Sequence, residues 1–272
     1  MKLENIKLIF IDLDGTSLDY KRKLLSKKNL EIIEKCRQNG IRVIVSTGRG
    51  LNQKTKDILN QINDPSNIIA WNGAKVLMDG KEFFSSSIPT QIIEQISILI
   101  KKYKVTTIVN SDFKNSTYTN SMMIKLLTKL KGGMAKPIES FTYNFEIFKF
   151  IFIPKNKKLF LKFKNELTSK FGDQLNILNA RSYSTFIEVT NINASKGLGE
   201  VLFSKLNNIS PENCVHIGDT MNDSTTVGKV KHVIAMKNAS AEFKKMANFI
   251  SPYDYKNGGL AKTINHFILN KK

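Results

Sequence analysis

Asp12 and Asp14 stand one residue apart where the apolar run Leu8-Ile9-Phe10-Ile11 ends against Gly15-Thr16. Four consecutive apolar residues rich in Ile and Phe fit a strand buried on both faces. A charge closing such a strand is unfavourable unless something pairs with it. Two carboxylates at i and i+2 of an extended chain project to the same side and repel one another. That arrangement suits a hard cation held by oxygen ligands, with one carboxylate left to attack an electrophile. A strand running into an ordinary Asp-Gly turn accounts for the same residues without chemistry.

Three other segments carry residues of the same kind. Ser46-Thr47-Gly48 follows a segment that reads as a second buried strand, Ile41-Arg42-Val43-Ile44-Val45. It is either a plain turn or a hydroxyl with backbone amides that hold a phosphoryl oxygen. Lys196 follows Ser195 at a helix start; it is one more surface lysine or the cation that neutralises a transferred phosphoryl group. Gly218-Asp219 with Asn222-Asp223 is a loop of turn-forming residues, or a place where Asp219 completes a magnesium site and Asp223 supports it from behind.

The elements that must position these residues alternate. After the first strand, Ser26 can cap a helix carrying Leu30, Ile33 and Cys36 and ended by Gly40. A strand at 41–45, a helix at 53–59, a strand at 68–70 and the Asn72-Gly73 turn follow. Strand-helix alternation implies a parallel sheet with right-handed crossovers, whose ligand site lies beyond the carboxyl ends of the strands. Asp12 and Thr47 both fall at that edge. Residues 81–189 differ in texture: Thr90 can cap a helix bearing Ile92, Ile93, Ile96, Leu99, Ile100 and Tyr103, and strands at 106–109, 148–153, 176–178 and 186–189 are mixed with helices at 121–130 and 157–171. Residues 190–272 return to the first pattern, with a helix from Ser195 bearing Leu198, Val201, Leu202 and Leu206, strands at 214–217 and 233–236, and a polar tail. The expected architecture is α/β: a Rossmann-like parallel-sheet core, 1–80 with 190–272, and an inserted α+β domain at 81–189.

Composition narrows the function classes. The 272 residues are 41% hydrophobic and 9% aromatic, enough for a packed core. No run of about 18 apolar residues exists, so no membrane span is expected. The amino terminus reaches Asp12 too soon for a secretion signal. Cys36 and Cys214 are far apart and read as reduced core residues, which fits a cytoplasmic protein. The net charge of +19 invites nucleic acid or an anionic membrane as partner, yet only five of the 42 basic residues are arginine, and the lysines never gather into a block with interleaved aromatics. Solvated surface lysine, with a general attraction for anions, is the expectation; neither a specific nucleic acid nor a membrane is expected as partner.

Taken in order, Asp-x-Asp-Gly-Thr after strand one, a hydroxyl after strand two, a late lysine and Gly-Asp-x-x-Asn-Asp after a later strand resemble the haloacid dehalogenase-like superfamily. The resemblance covers roughly residues 6–80 and 190–250. An α+β insert at 81–189 resembles the cap of the Cof-type phosphatases, as do Ile69-Ala70-Trp71-Asn72-Gly73-Ala74 and Ala235-Met236-Lys237-Asn238-Ala239. The resemblance implies Asp12 as nucleophile forming an aspartyl phosphate and Asp14 as general acid and base. It implies Mg2+ held by Asp12, the Asp14 carbonyl and Asp219, with Asp223 behind them, and Thr47, Gly48, Lys196 and Asn222 on the phosphoryl oxygens. The cap would close over the core and select a small phosphorylated metabolite, a sugar phosphate being the first choice. Asn110, Lys136 and Arg181 are polar candidates there. Ser17 stands where the family usually has leucine, and Ser224-Thr225-Thr226 where it is more apolar. His216 reads as a strand residue, and none of the three histidines is needed. A phosphomutase of the same superfamily, or a basic nucleic-acid- or membrane-binding protein with a vestigial site, are the alternatives; oligomeric state stays open.

Overall fold

A computed structural model describes residues 2–19, 23–153, 155–179 and 186–269. By its internal contacts the chain falls into two units, Met1–Phe84 with Ser195–Lys272, and Ser85–Ala194. The first segment runs β1 (Leu8–Ile11), α1 (Lys27–Gln38), β2 (Arg42–Ser46), α2 (Gln53–Gln61), β3 (Ile68–Ala70), β4 (Lys75–Met78) and β5 (Lys81–Ser85). The middle of the chain holds α3 (Thr90–Tyr103), β6 (Thr106–Val109), β7 (Thr117–Tyr118), α4 (Met122–Leu130), β8 (Lys149–Ile153), α5 (Lys157–Phe171), β9 (Leu175–Asn179) and β10 (Ile187–Asn191). The last segment holds α6 (Lys196–Leu206), β11 (Cys214–Gly218), β12 (His232–Ala235), α7 (Ala241–Met246), β13 (Phe249–Ile250) and α8 (Gly259–Ile264).

The first unit is built on an eight-stranded sheet in the order β13-β12-β11-β1-β2-β3-β4-β5. Strands β13 to β3 are parallel, and β4 turns back antiparallel on β3. The fold is α/β with a mostly parallel sheet. Because successive side chains face opposite ways, Ile9, Ile11, Val43, Val45 and Ile217 pack with Ile33 and Cys36 of α1 and Leu260 and Ile264 of α8. Leu8, Phe10 and Ile44 face the other layer, with Phe203 of α6 and Phe243 of α7. Strand β1, between β11 and β2, is buried along its whole length, and this explains its unbroken apolar run. The second unit is a five-stranded antiparallel sheet, β7-β6-β8-β10-β9. Its core joins the α3 stripe, Ile92, Ile93, Ile96 and Ile100, to Phe150 and Phe152 of β8 and Phe163 of α5.

Several local expectations change. Ser26 sits at the N-cap position of α1 but its hydroxyl donates to Asp19 Oδ2 at 2.7 Å instead of capping. Pro89, not Thr90, precedes the first turn of α3. The polar tail is helical: Leu260, Ile264, Phe267 and Ile268 are buried at helical spacing, while Lys262 and His266 between them are exposed. The hairpin pair β4 and β5 has no counterpart in the sequence reading, since its second strand is largely exposed and lacks an apolar run. Asn110 is tied to the segment that leads into β8, its Oδ1 accepting from Phe148 N–H at 2.7 Å and its Nδ2 donating to the Glu146 carbonyl at 2.8 Å. Lys136 lies over the Tyr118 ring, and Arg181 lies outside the described residues. Both cysteines are free and buried; burial pushes each thiol up to about 12, where it is inert at neutral pH. Among the described residues no helix is long and apolar enough to cross a membrane.

Candidate active site

Three neighbouring parallel strands deliver the site. Ile11 pairs with Ile217 on one side and Val45 on the other, so Asp12, Ser46-Thr47 and Gly218-Asp219 emerge together at the carboxyl edge. The Asp12 N–H still donates to the Ile217 carbonyl at 3.0 Å, which holds its side chain at the strand end. Asp12 and Asp219 are both buried. Gly15 turns the chain back over Asp219 with φ +87°, and a methyl group built there would lie 2.2 Å from Asp219 Oδ2. Only glycine lets the two loops meet. Asn238 braces the meeting point, donating to the Gly15 carbonyl at 2.8 Å while accepting from the Tyr255 N–H.

Lys196 arrives from the helix layer. Ser195 caps α6, its hydroxyl accepting from Leu198 N–H, and Phe203 anchors the helix edge-on against Phe10 of β1. The Asn72-Gly73 turn packs so closely beneath it that a Gly73 side chain would meet the Ser195 carbonyl at 2.0 Å. Of the apolar residues expected along α6, Leu198 is 42% exposed, and the inward face carries Lys196, Glu200, Phe203 and Ser204. Lys196 Nζ lies 2.5 Å from both Asp12 Oδ1 and Asp223 Oδ1.

Asp12, Asp219 and Asp223 each offer a carboxylate oxygen within 4.8 Å of the others. They are not equivalent. Asp223 Oδ2 accepts the N–H groups of Asp219 and Thr220, both at 2.9 Å, and its Oδ1 accepts from Lys196 and His216. Both oxygens are therefore committed to donors, and Asp223 holds the Asp219 loop in place. Asp12 and Asp219, hard oxygen donors beside the side-chain-free Gly15, fit a magnesium ion. Thr16 Oγ1 and Ser46 Oγ are buried nearby in sequence with no hydrogen-bond partner among the described residues.

Electrostatics follow from burial and sign. Burial pushes the Asp12 carboxyl up to about 6, against the pull of Lys196 and with help from Asp223 and Asp14. Burial also opposes ionisation of Asp223, yet Lys196 and His216 hold it well below the usual carboxylate range. Burial would lower Lys196, but Asp12 and Asp223 keep it above its ordinary value and fully charged.

The remaining expected residues are placed as follows. Thr47 is locked between strands, its N–H donating to Ile69 O and its carbonyl accepting from Asn72 N–H, with Gly48 next in the loop. Its Oγ1 accepts from Arg49 N–H at 3.1 Å, which leaves the hydroxyl proton to donate. Asn222 Nδ2 donates to Asn72 Oδ1 at 2.9 Å, linking the 72–73 turn to the 219–223 loop. Asp14 is not in the buried cluster: it is half exposed and held in a fork by Arg49, Nε and Nη2 each 2.6 Å from a carboxylate oxygen. The sequence reading passed over Arg49 and Glu200, and took His216 as a strand residue, which it is in β11, without giving it a part in the site. Arg49 carried a signal, since it follows Thr47-Gly48 directly. Nothing in the chain joins Glu200 to His216 before the helix is laid on the sheet.

The model of the haloacid dehalogenase-like hydrolase family matches residues 9–264. The chain belongs to that family. It falls with the family's phosphatases, and it is a hydrolytic enzyme. A putative phosphatase of Buchnera aphidicola is 26% identical, the match covering 98% of this chain and 97% of that protein. A Bacillus subtilis protein named 5-amino-6-(5-phospho-D-ribitylamino)uracil phosphatase is 25% identical, covering 97% of each. Among solved structures, a phosphatase of the family from Bacteroides thetaiotaomicron superposes with a TM-score of 0.78 at 21% identity, covering 96% of this chain and 95% of that one. A sugar phosphatase of subclass IIB superposes at 0.77 and 20% identity, covering 96% and 98%.

Proposed function

We propose that this protein is a magnesium-dependent phosphatase for small phosphorylated metabolites, sugar phosphates first among them, working through an aspartyl phosphate. The observation that carries the reading is the convergence of Asp12, Asp219 and Lys196 at one strand edge, with Lys196 Nζ 2.5 Å from Asp12 Oδ1. A phosphate dianion reaches a carboxylate only where positive charge cancels the repulsion, and a buried lysine with a divalent ion supplies it. Asp12, Asp219 and the Asp14 carbonyl would hold the ion, which offers Lewis-acid stabilisation of phosphoryl oxygens when bound.

Asp12 attacks phosphorus in line; the phosphorus–oxygen ester bond breaks, and Asp14 gives its proton to the leaving oxygen. Water then attacks the aspartyl phosphate, passes a proton back to Asp14, and frees phosphate and Asp12. Thr47, Gly48 and Lys196 bind phosphoryl oxygens, and Asn222 assists by holding the loops together. Because Arg49 occupies both Asp14 carboxylate oxygens, that contact has to open for Asp14 to reach the leaving oxygen. Substrate choice is assigned to the inserted unit. The sugar and ribityl phosphates named for similar proteins share a phosphate monoester on a polyhydroxylated chain, and that class heads the panel.

The test is phosphate release from a panel of phosphorylated metabolites with and without Mg2+, alongside Asp12→Asn. Metal-dependent release that disappears in a folded Asp12→Asn protein is expected. Release that survives the substitution removes Asp12 as nucleophile, and an isomeric product in place of phosphate moves the enzyme to phosphotransfer.

A further inference from the structure

Lys196 and Glu200 are one helical turn apart on α6, and both are completely buried. Against them stands His216 of β11, equally buried. Its Nδ1 is 2.8 Å from Glu200 Oε1 and its Nε2 is 3.0 Å from Asp223 Oδ1. Ionised carboxylates only accept, so both contacts are hydrogen bonds only when the ring carries two protons. Glu200, His216, Asp223, Lys196 and Asp12 thus form one buried chain in which acidic and basic side chains alternate. Packing does not call for it. Phe203 and Ile217, next along the same elements, are buried apolar residues, and apolar groups at 200 and 216 would avoid the desolvation of an ion pair.

The chain ends on the lysine that matters for catalysis. Asp223 Oδ1 receives both Lys196 and His216. With the imidazolium offsetting part of its charge, Asp223 anchors Lys196 without neutralising it. We propose that Glu200 and His216 are a positioning pair: Glu200 orients the ring, the ring fixes Asp223, and Lys196 is thereby set against Asp12 with its charge kept for the transferred phosphoryl group. What Lys196 does rests on the phosphatase reading; the state of the pair does not.

The experiment uses the full chain with Mg2+ and p-nitrophenyl phosphate at pH 7.5, comparing the parent with Glu200→Gln, His216→Gln and the double variant Glu200→Leu with His216→Val, which keeps the pocket filled. We expect kcat to fall tenfold or more in each, with KM changing less than threefold, and the double variant to be no slower than the slower single one. Nitrogen-15 ring spectra of the unaltered protein should show His216 doubly protonated. A neutral His216 ring, or a folded double variant within twofold of parental kcat, overturns the proposal. A parent without turnover would instead sink the phosphatase reading, and the ring spectrum would still decide the pair.

Discussion

Replacing Lys196 with methionine removes a cation that stands 2.5 Å from each of two buried carboxylates. Methionine fills most of the same volume, so the loss is chiefly electrostatic. Breaking a buried pair by removing one partner destabilises by about 3–5 kcal/mol, which for a chain of this length lowers the melting temperature by about 10 °C. The penalty has a ceiling, because Asp12 can take up a proton. Its carboxyl is already held up to about 6 with Lys196 present, and without the lysine it moves higher. The folded variant then holds a proton that the unfolded chain releases, so its stability relative to the parent falls as pH rises. Melting curves in EDTA should show a wide gap at pH 8 and a narrower one at pH 5.5. Turnover should fall about 150-fold in kcat/KM, the equivalent of about 3 kcal/mol of transition-state stabilisation. A folded variant within about threefold of the parent, or a gap that does not change with pH, would refute the reasoning.

Two further outcomes follow from the loop after β1. Asp14→Asn should lower kcat/KM for alkyl phosphates by about a hundredfold or more, yet far less for p-nitrophenyl phosphate, because kcat/KM covers only the steps up to departure of the leaving group and a good leaving group needs little proton donation; equal losses in kcat/KM on both would remove Asp14 as general acid. Gly15→Ala forces a side chain into φ +87° and onto the Asp219 carboxylate, so Mg2+ affinity measured by calorimetry should drop at least tenfold, and an unchanged affinity would place the metal elsewhere.

How much of this was readable in the chain depends on the distance over which each signal acts. The strands β1, β2 and β11 announce themselves as short apolar segments, unbroken in β1 because it is buried on both faces but carrying Arg42 at the start of β2 and His216 within β11, and the polar residues just past them mark the candidate site's edge. Lys196 and Asp223 were readable as candidates, but that Asp223 has both oxygens committed appears only when the 219–223 loop closes on its own N–H groups. The inward face of α6 was hidden for the same reason. Its leucines suggested an apolar stripe, whereas Lys196 and Glu200 are buried and Leu198 is exposed. Charge at a core position has no periodic signature, because only the partner on another element makes it tolerable.

That partner leaves a mark on the pH dependence of stability. Burial alone would lower the His216 imidazolium, but Glu200 and then Asp223 raise it from 6.5 to about 9. The stabilisation this represents is fully present below pH 6.5 and is lost as pH rises through about 9; the gap corresponds to about 3 kcal/mol. His232, which burial holds below its ordinary value, adds a small gain in stability near pH 6.5 that the parent shares with any variant keeping it, and two thiols act higher in the range. Cys36 and Cys214, pushed up to about 12 by burial, stay protonated in the fold while unfolded thiols ionise, so they too favour unfolding once pH passes about 8.5. Comparison with the double variant Glu200→Leu with His216→Val separates the two effects, since it keeps both thiols and removes the ring. Between pH 6.5 and 8.5 the parent should lose free energy of unfolding in urea titrations while the double variant stays level, and above that both should decline. Parallel profiles across the lower interval would mean that His216 is neutral in the fold, and the positioning pair would lose the doubly protonated ring on which it depends.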